Sequence, residues 1–196
     1  MGGKYAMVID LERCMGCCTC VVACKVENNM EEGSGIRVET VGGPHRDTPA
    51  GEFPSLKMYY LPQPCMHCAD PPCLEACPVE ALYKREDGIV LVNKDECNGC
   101  RECLEACPYD ALTLDSGEDK IEKCTLCAHR LDRGEEPFCS ICCEAEAIYV
   151  GDLNDPESKV SQFITERGAY TLKPELGTGP AVYYYFPGSS QGLDQC

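Results

Sequence analysis

The fold of this chain is decided by the stretch Cys97-Asn98-Gly99-Cys100-Arg101-Glu102-Cys103-Leu104-Glu105-Ala106-Cys107-Pro108, whose cysteines are spaced C-x2-C-x2-C-x3-C. The second half of this stretch opens a ten-residue segment, Cys103–Leu112, which also occurs at Cys73–Leu82 with only two differences. A shorter copy follows at Cys143–Ile148, where Glu144 replaces the proline. Such near-identity does not arise by chance in so short a chain, so these segments are duplicated units.

Sixteen of the nineteen cysteines belong to four groups of this kind, numbered one to four along the chain. Metal sites need regular spacings of two and three residues, whereas a disulfide framework does not. The groups are Cys14-x2-Cys17-x2-Cys20-x3-Cys24, Cys65-x2-Cys68-x4-Cys73-x3-Cys77, Cys97-x2-Cys100-x2-Cys103-x3-Cys107 and Cys124-x2-Cys127-x11-Cys139-x3-Cys143.

Group three has the spacing of the bacterial ferredoxins without alteration. A C-x2-C-x2-C loop wraps around a [4Fe–4S] cube so that three thiolates reach three corners. The fourth cysteine begins a short helix and binds the neighbouring cluster. Zinc also takes C-x2-C pairs, but zinc sites do not need the third cysteine or the ending x3-Cys-Pro. The sequence therefore favours iron–sulfur clusters over zinc.

The composition excludes several classes of protein. The odd number of cysteines, and an N-terminus without an apolar segment before Cys14, argue against a secreted disulfide scaffold. Aromatic residues make up only 7% of the chain and tryptophan is missing, so bound metal is expected to help hold the fold. No apolar run approaches the roughly 18 residues of a transmembrane helix. The net charge of −16 argues against nucleic acid or an anionic membrane as the partner.

Short strands are predicted between the cysteine groups. Ile36–Val41 alternates in polarity, and Lys57–Leu61 is predicted as a strand that ends before Pro62. Gly88–Val92 is an apolar run that leads into group three. Strand, cysteine loop, short helix and strand is the organisation of a ferredoxin, and it occurs here twice. The expected fold class is α+β, with two ferredoxin-like domains of two clusters each, short strands and helices, and long loops.

Three cysteines remain outside the groups, and we expect none of them to bind a cluster. Cys18 lies inside the first loop, whose spacing is already satisfied. Cys142 competes with Cys143, but it occupies the position of an alanine in the other two repeat copies, so Cys143 is the expected ligand. Cys196 is the last residue and is expected to be a free thiol.

The remaining ionisable side chains indicate no catalytic site. Three basic residues flank group four and could raise the potential of a nearby cluster or be solvated surface charges; they are Lys123, Arg130 and Arg133. The histidines are scattered and each is expected at the surface; they are His45, His67 and His129. Since no nucleophile–base set is found, we assign no catalytic residue and expect the chain not to be an enzyme by itself.

Four such groups in this order resemble the electron-transfer subunit of the complex iron–sulfur molybdoenzyme (dimethyl sulfoxide reductase) family. That family includes dimethyl sulfoxide, polysulfide, thiosulfate and respiratory arsenate reductases, with related hydroxylases and dehydroxylases. The resemblance covers nearly the whole chain. It is carried by the cysteine groups and by Cys24–Asn29, Pro64–Cys68, Pro71–Cys73, Lys123–Cys127, Gly151–Pro156 and Leu172–Thr178.

The resemblance implies which cysteines share a cluster, because in this family groups one and four pair in one domain and groups two and three in the other. The near-identical repeats support the second pairing independently. Four [4Fe–4S] clusters are expected, one in each of four sets. Set A is Cys14, Cys17, Cys20 and Cys143; set B is Cys24, Cys124, Cys127 and Cys139; set C is Cys65, Cys68, Cys73 and Cys107; set D is Cys77, Cys97, Cys100 and Cys103.

The same resemblance implies two interleaved domains related by a pseudo-two-fold repeat. Residues 1–60 together with 118–150 are expected to form an outer dicluster domain, and residues 61–117 an inner one. Residues 151–196 are expected to form a C-terminal extension at the interface with a catalytic subunit.

The implied function is to relay electrons to or from a catalytic subunit that carries a molybdenum or tungsten bis-pterin cofactor. A membrane quinone-binding anchor or a soluble carrier would serve as the second redox partner. Two alternatives remain open: a free polyferredoxin, and the iron–sulfur subunit of a hydrogenase or formate dehydrogenase. Without a visible export signal, the protein is expected to be cytoplasmic, or to be carried across the membrane by a signal-bearing partner.

Overall fold

Nine strands and six short helices follow one another along residues 4–31 and 33–186, which are the residues that the computed structural model describes. The strands are β1 (Tyr5–Asp10), β2 (Ile36–Val41), β3 (Tyr59–Pro64), β4 (Leu82–Lys84), β5 (Val90–Val92), β6 (Leu112–Asp115), β7 (Lys120–Lys123), β8 (Ile148–Asp152) and β9 (Val182–Tyr185). The helices are α1 (Thr19–Asn28), α2 (Pro72–Glu75), α3 (Glu102–Ala106), α4 (Ala128–Leu131), α5 (Phe138–Ile141) and α6 (Lys159–Thr165), and a 3-10 turn spans Pro174–Leu176.

The first strand is the centre of the only three-stranded sheet in these described residues, whose order is β8-β1-β9. β1 runs antiparallel to β8 and parallel to β9, so that Ile9 lies between Ile148 and Tyr184. Its side chains alternate between two buried faces, as the two-residue period of a strand requires. Met7 and Ile9 face the core that contains many of the cysteines, whereas Val8 packs beneath α6.

Three two-stranded hairpins, β2–β3, β4–β5 and β6–β7, connect the cysteine groups. The second and third hairpins bury Leu82, Val90, Leu112 and Ile121 in a small core that also contains cysteines of groups two and three. The cysteines are thus part of the hydrophobic core. The mixed α/β fold with short elements agrees with the coarse expectation of a ferredoxin-like protein.

The strand predicted at Lys57–Leu61 differs from the observed β3, which begins at Tyr59 and continues to Pro64. In the register of the hairpin, Pro62 lies opposite Val38 and Pro64 opposite Ile36. Proline has no N–H to donate, but every second residue of a two-stranded hairpin donates no hydrogen bond to its partner strand. Pro62 and Pro64 are two residues apart and can both occupy such positions, so the strand continues through them. The strands predicted at Ile36–Val41 and within Gly88–Val92 are confirmed as β2 and β5.

The segment after β8 returns to the central sheet. β9 pairs with β1, and Tyr170 also pairs with Tyr184 across an isolated bridge. None of the helices in residues 4–31 and 33–186 has the length and apolar composition needed to cross a bilayer. Cys196 lies outside the described residues, so its predicted lack of a role stays a prediction.

Candidate metal centre

The cysteines of set B line one pocket beneath β1, together with Met7 and Ile36. Cys24 comes from α1 and Cys139 from α5, and the other two follow β7. All four are buried, and burial is the main reason why the pKa of Cys24 and of Cys139 is raised. Thiols whose pKa is raised by burial are held as thiolates when they bind a metal, so a metal group would offset the cost of burying four sulfurs.

The cysteines of set A line a second pocket, together with Val38 and Ile148. Cys20 is the buried member of the set, and burial raises its pKa to about 12. Cys17 is exposed, and a hydrogen bond from the Thr19 side chain lowers its pKa. Set A therefore has one cysteine at the molecular surface.

The cysteines of set D line a third pocket. Ala81, Leu82 and Ile121 close its inner side. Cys103 is buried and its pKa is raised to about 11, first by burial and then by the neighbouring thiols. Cys100 is exposed, so set D also has one cysteine at the surface.

The cysteines of set C are brought together between the other sets. Burial raises the pKa of Cys73 to about 12, and the next contributions come from Cys65 and Cys107. Burial likewise raises the pKa of Cys68 to about 11, against a hydrogen bond from Thr178 that lowers it. Three members of the set are buried and Cys107 is partly buried.

Paired helices join neighbouring sets, because each helix contains a cysteine of one set and a cysteine of the next set follows four residues later. In α1 both cysteines lie within the helix, whereas in α2, α3 and α5 the second cysteine comes just after the helix ends. α1 and α5 pack together and link set A to set B, through the pairs Cys20/Cys24 and Cys139/Cys143. α2 and α3 pack together and link set C to set D, through the pairs Cys73/Cys77 and Cys103/Cys107.

Electrostatic contacts give the order of the four sets. The pKa of Cys139 is raised by burial, by the other thiols of set B and also by Cys20, which belongs to set A. The pKa of Cys124 is raised by burial, by Cys24 and also by Cys65, which belongs to set C. Set B therefore lies between sets A and C, and the order along the molecule is A, B, C, D.

Each C-x2-C loop turns through a residue with positive φ, which comes directly before its second cysteine. Two of these residues are glycines, Gly16 and Gly99, at φ of 70° and 69°. The other two loops force His67 and Leu126 into the same left-handed region, at 44° and 52°. Left-handed backbone is costly for residues other than glycine, so the same loop shape is imposed at all four places.

The three repeat copies share one turn after the last cysteine. The N–H groups of Glu80 and Asp110 donate to the carbonyls of Cys77 and Cys107, both at 3.2 Å. In the third copy, the Glu146 N–H donates to the Cys143 carbonyl at 2.8 Å. Glu80, Asp110 and Glu146 all have positive φ. Cys143 thus occupies the position of the two earlier cysteines even though Glu144 replaces proline.

Backbone N–H groups point at several of the sulfurs. Leu126 donates to Sγ of Cys124, and Ala147 donates to Sγ of Cys143, both at 3.3 Å. Such donors stabilise a thiolate and tune a metal group bound to it. The donor sets fit [4Fe–4S] clusters: the cysteines of each of sets A, B and D line one pocket. Across residues 4–31 and 33–186, no three His, Cys, Asp or Glu side chains converge closely enough for a single ion.

Two side chains near the cysteine loops are buried: one was expected at the surface, and the other had two roles left open. His67 is only 3% exposed, because its Nδ1 accepts a hydrogen bond from the Val90 N–H at 3.0 Å inside the core. The surface prediction for this histidine is wrong. Lys123 is 4% exposed, and this excludes a solvated role. His45 is exposed, and His129 bonds Glu27 at the surface.

The two spare cysteines within the described residues differ in position. Cys18 lines the pocket of set A, where the guanidinium of Arg46 approaches its Sγ at 3.8 Å. Cys142 caps the end of α5 and does not line that pocket. No sequence pattern indicated Thr178 as a partner of set C, apart from its place in the Leu172–Thr178 segment.

Known proteins resemble this chain over nearly its whole length. A family model described as a 4Fe-4S dicluster domain matches residues 56–153. The B subunit of the sulfite dehydrogenase of Allochromatium vinosum is 42% identical, over 92% of this chain and 82% of its own length. The B chain of the polysulfide reductase of Wolinella succinogenes is 40% identical, over 93% and 94%. The arsenate respiratory reductase iron–sulfur subunit of Shewanella sp. strain ANA-3 is 36% identical, over 92% and 95%.

Proposed function

Because this protein belongs to the iron–sulfur electron-transfer subunits of the complex iron–sulfur molybdoenzyme family, we propose that it relays single electrons along four [4Fe–4S] clusters held by sets A, B, C and D. The other end of the relay would be a catalytic subunit with a molybdenum or tungsten bis-pterin cofactor. The chain itself performs no bond chemistry on a substrate. The clusters supply one-electron redox chemistry when bound.

The observation that carries this proposal is the pattern of exposure along the order A, B, C, D. The two end sets each have one exposed cysteine, Cys17 in set A and Cys100 in set D. Every cysteine of set B is buried, and in set C only Cys107 is even partly exposed. Electrons would therefore enter and leave at the two ends, while the interior of the relay is shielded from water.

The protein's own residues position the clusters and set their surroundings. The helix pairs α1–α5 and α2–α3 pack between neighbouring sets, and the left-handed residues turn each C-x2-C loop so that its cysteines lie around one site. Backbone donors at Cys124 and Cys143 offset part of the negative charge that each cluster brings. This matters because the chain already carries a net charge of −16 before any thiolate is counted.

The domain arrangement that we propose is interleaved. Residues 1–60 with 118–150 would hold sets A and B, residues 61–117 would hold sets C and D, and 151–196 would serve as an extension at the catalytic subunit. The helix pairs support this division, because α1 and α5 come from the first part and α2 and α3 from the second.

The partner and substrate class follow from the relatives. Their names include reductases of arsenate and polysulfide and a dehydrogenase of sulfite. We infer that the complex acts on an inorganic or small organic compound such as an oxyanion, a sulfur species or a sulfoxide, or that it is a hydroxylase or dehydroxylase. Because both directions of electron flow occur among these names, direction would be set by the partners. The second partner would be a quinone-binding membrane anchor or a soluble carrier.

The test is elemental analysis of the native complex, purified anaerobically through this chain. We expect about sixteen to twenty irons and one molybdenum or tungsten for each chain, together with a large second subunit. Nickel in place of molybdenum would move the chain to a hydrogenase. Iron alone, without a second subunit, would establish a free polyferredoxin and refute the proposed partner.

A further inference from the structure

We propose that the buried ammonium group of Lys123 raises the reduction potentials of the two middle clusters, those of sets B and C. This inference rests on the proposed function, because it requires that both sets hold clusters. It concerns one of three basic residues whose role the sequence left open.

Lys123 is held inside the protein without a carboxylate partner in the part of the chain that the structure describes. Its side chain is at the end of β7 and the residue is 4% exposed. Nζ donates to the carbonyl of Cys124 at 2.9 Å and to the carbonyl of Val90. A buried ammonium that is paired only with neutral carbonyls is costly, unless negative charge lies nearby.

The two middle clusters would supply that charge. An oxidised [4Fe–4S] core of about +2 with four thiolates carries a net charge of about −2. Lys123 precedes Cys124 of set B in sequence and hydrogen-bonds its carbonyl. Toward set C, it bonds the carbonyl of Val90, whose N–H bonds His67 in the Cys65–Cys68 loop. The lysine thus lies between one ligand of set B and the loop of set C.

The charges around these sets agree with this position. Burial raises the pKa of Cys73, and the charge of Lys123 opposes that rise.

The other two basic residues that flank group four are neutralised by carboxylates. Arg130 lies 3.2 Å from Glu27 and 3.4 Å from Glu135. Arg133 is 57% exposed in its side chain and is paired with Glu135 at 3.1 Å. Solvent and counter-charges screen both of them, whereas the field of Lys123 is screened by neither. The structure thus separates three residues that the sequence could not.

The physical consequence is a bias toward the reduced state. Adding an electron makes a cluster more negative, and a cation in a low-dielectric interior stabilises the added charge. Without Lys123, the middle clusters would be harder to reduce, and an electron arriving at set A or set D would meet a step upward in energy at the centre of the relay.

The experiment is an EPR-monitored redox titration of the anaerobically purified complex that contains the full chain. The neutral variants are Lys123→Met, which retains the volume, and Lys123→Gln, which retains a hydrogen-bond donor. Lys123→Arg retains the charge. Arg133→Gln is the matched control, since it also removes one positive charge beside group four. Iron is counted for every sample before the titration.

We expect the ratio of reduced to oxidised cluster, at a fixed ambient potential, to fall about tenfold for two clusters in both neutral variants. For a one-electron couple this equals a shift of about 59 mV. The remaining clusters, Lys123→Arg and Arg133→Gln should keep their original potentials.

The proposal is overturned if potentials are unchanged in the neutral variants at full iron content, or if Arg133→Gln produces the same shift. It is also overturned if only Lys123→Met responds, because a hydrogen bond would then be responsible, or if both neutral variants lose a cluster that Lys123→Arg keeps. A wild-type chain with fewer than about sixteen irons would instead refute the proposed sets, independently of the lysine.

Discussion

The hydroxyl oxygens of Tyr109 and Thr178 lie 2.7 Å apart inside the protein. The Thr178 hydroxyl also lowers the pKa of the Cys68 thiol, against the larger effect of burial. Tyr109, Thr178 and Cys68 therefore neighbour one another, and the segment after β8 reaches a cysteine of set C.

Replacing Thr178 with valine is expected to lower the reduction potential of the cluster of set C. A hydrogen bond to a charged sulfur stabilises the more negative, reduced state more than the oxidised one. Its loss should therefore lower the potential by part of its total of about 1 to 1.5 kcal/mol, which is at most roughly 60 mV for a one-electron couple. The measurement is a redox titration followed by EPR.

Thr178→Ser is the control for this change, because serine keeps the hydroxyl and should keep the potential. Tyr109→Phe removes only the hydrogen bond between Tyr109 and Thr178 and should give a smaller shift. An unchanged potential in Thr178→Val, at full iron content, would mean that the Thr178 hydroxyl does not act on the cluster.

The contrast between Cys68 and Thr178 shows what spacing could and could not predict. A cysteine loop is a local pattern, so group two was recognisable within a few residues. Thr178 lies far from Cys68 in sequence, in the segment between α6 and β9, and no local pattern records their approach. Lys123 was noticed beside Cys124, yet its burial depends on Val90 from another hairpin. His67 and the proline-containing end of β3 were mispredicted for the same reason, since tertiary contacts decided them.

Exchanging Cys143 for serine is expected to remove the cluster of set A, whereas Cys142→Ser should leave the iron content unchanged. Cys143 lines the pocket of set A and accepts a hydrogen bond from the Ala147 N–H, and Cys142 does neither. The variant at 143 should lose about four of roughly sixteen irons, measured by elemental analysis. If the two variants behaved in the opposite way, the alignment of the third repeat copy would be wrong.

Alanine at Gly99 is expected to disrupt set D. Gly99 has φ of 69°, and a Cβ there would lie 2.4 Å from the carbonyl oxygen of Asp119. The substitution combines backbone strain of roughly 1 to 2 kcal/mol with a clash against main chain that cannot move aside easily. We expect the loss of about four irons from the protein purified anaerobically.

The matched control is Gly134→Ala, which has φ of 73° but no atom within 4 Å of the added Cβ. It carries the backbone strain without the clash, so it should lower stability slightly and retain all of the iron. If both variants lost the same amount of iron, backbone strain alone, without the clash, would explain the loss.

Glu27 and Arg130 form an ion pair that joins two parts of set B, and its loss is expected to destabilise that set. Glu27 follows Cys24 on α1, and Arg130 follows Cys127 on α4. Arg130 Nη1 lies 3.2 Å and 3.3 Å from the two carboxylate oxygens, and both side chains are about five-sixths buried, with exposures of 17% and 16%. Glu27→Gln should cost about 1 to 2 kcal/mol.

The stability lost in Glu27→Gln should depend on pH, because only the ionised carboxylate of Glu27 forms the ion pair. Hydrogen bonds from His129 and Arg130 lower the pKa of Glu27 against the opposing effect of burial. A depressed pKa contributes stability that is fully present above the unfolded value of about 4.3 and is lost as the pH falls through the lower, folded value. The stability gap between the natural chain and Glu27→Gln should therefore be present throughout pH 5 to 8 and should narrow below about pH 4.

The measurement is the rate of iron release on heating, under anaerobic conditions, across this pH range, with Glu52→Gln in the exposed loop before β3 as the control. Glu52→Gln should release iron at the natural rate at every pH. A gap for Glu27→Gln that widened below pH 4 would show that the carboxylate is not stabilised by the pair, because protonation must abolish a benefit that depends on the charged form.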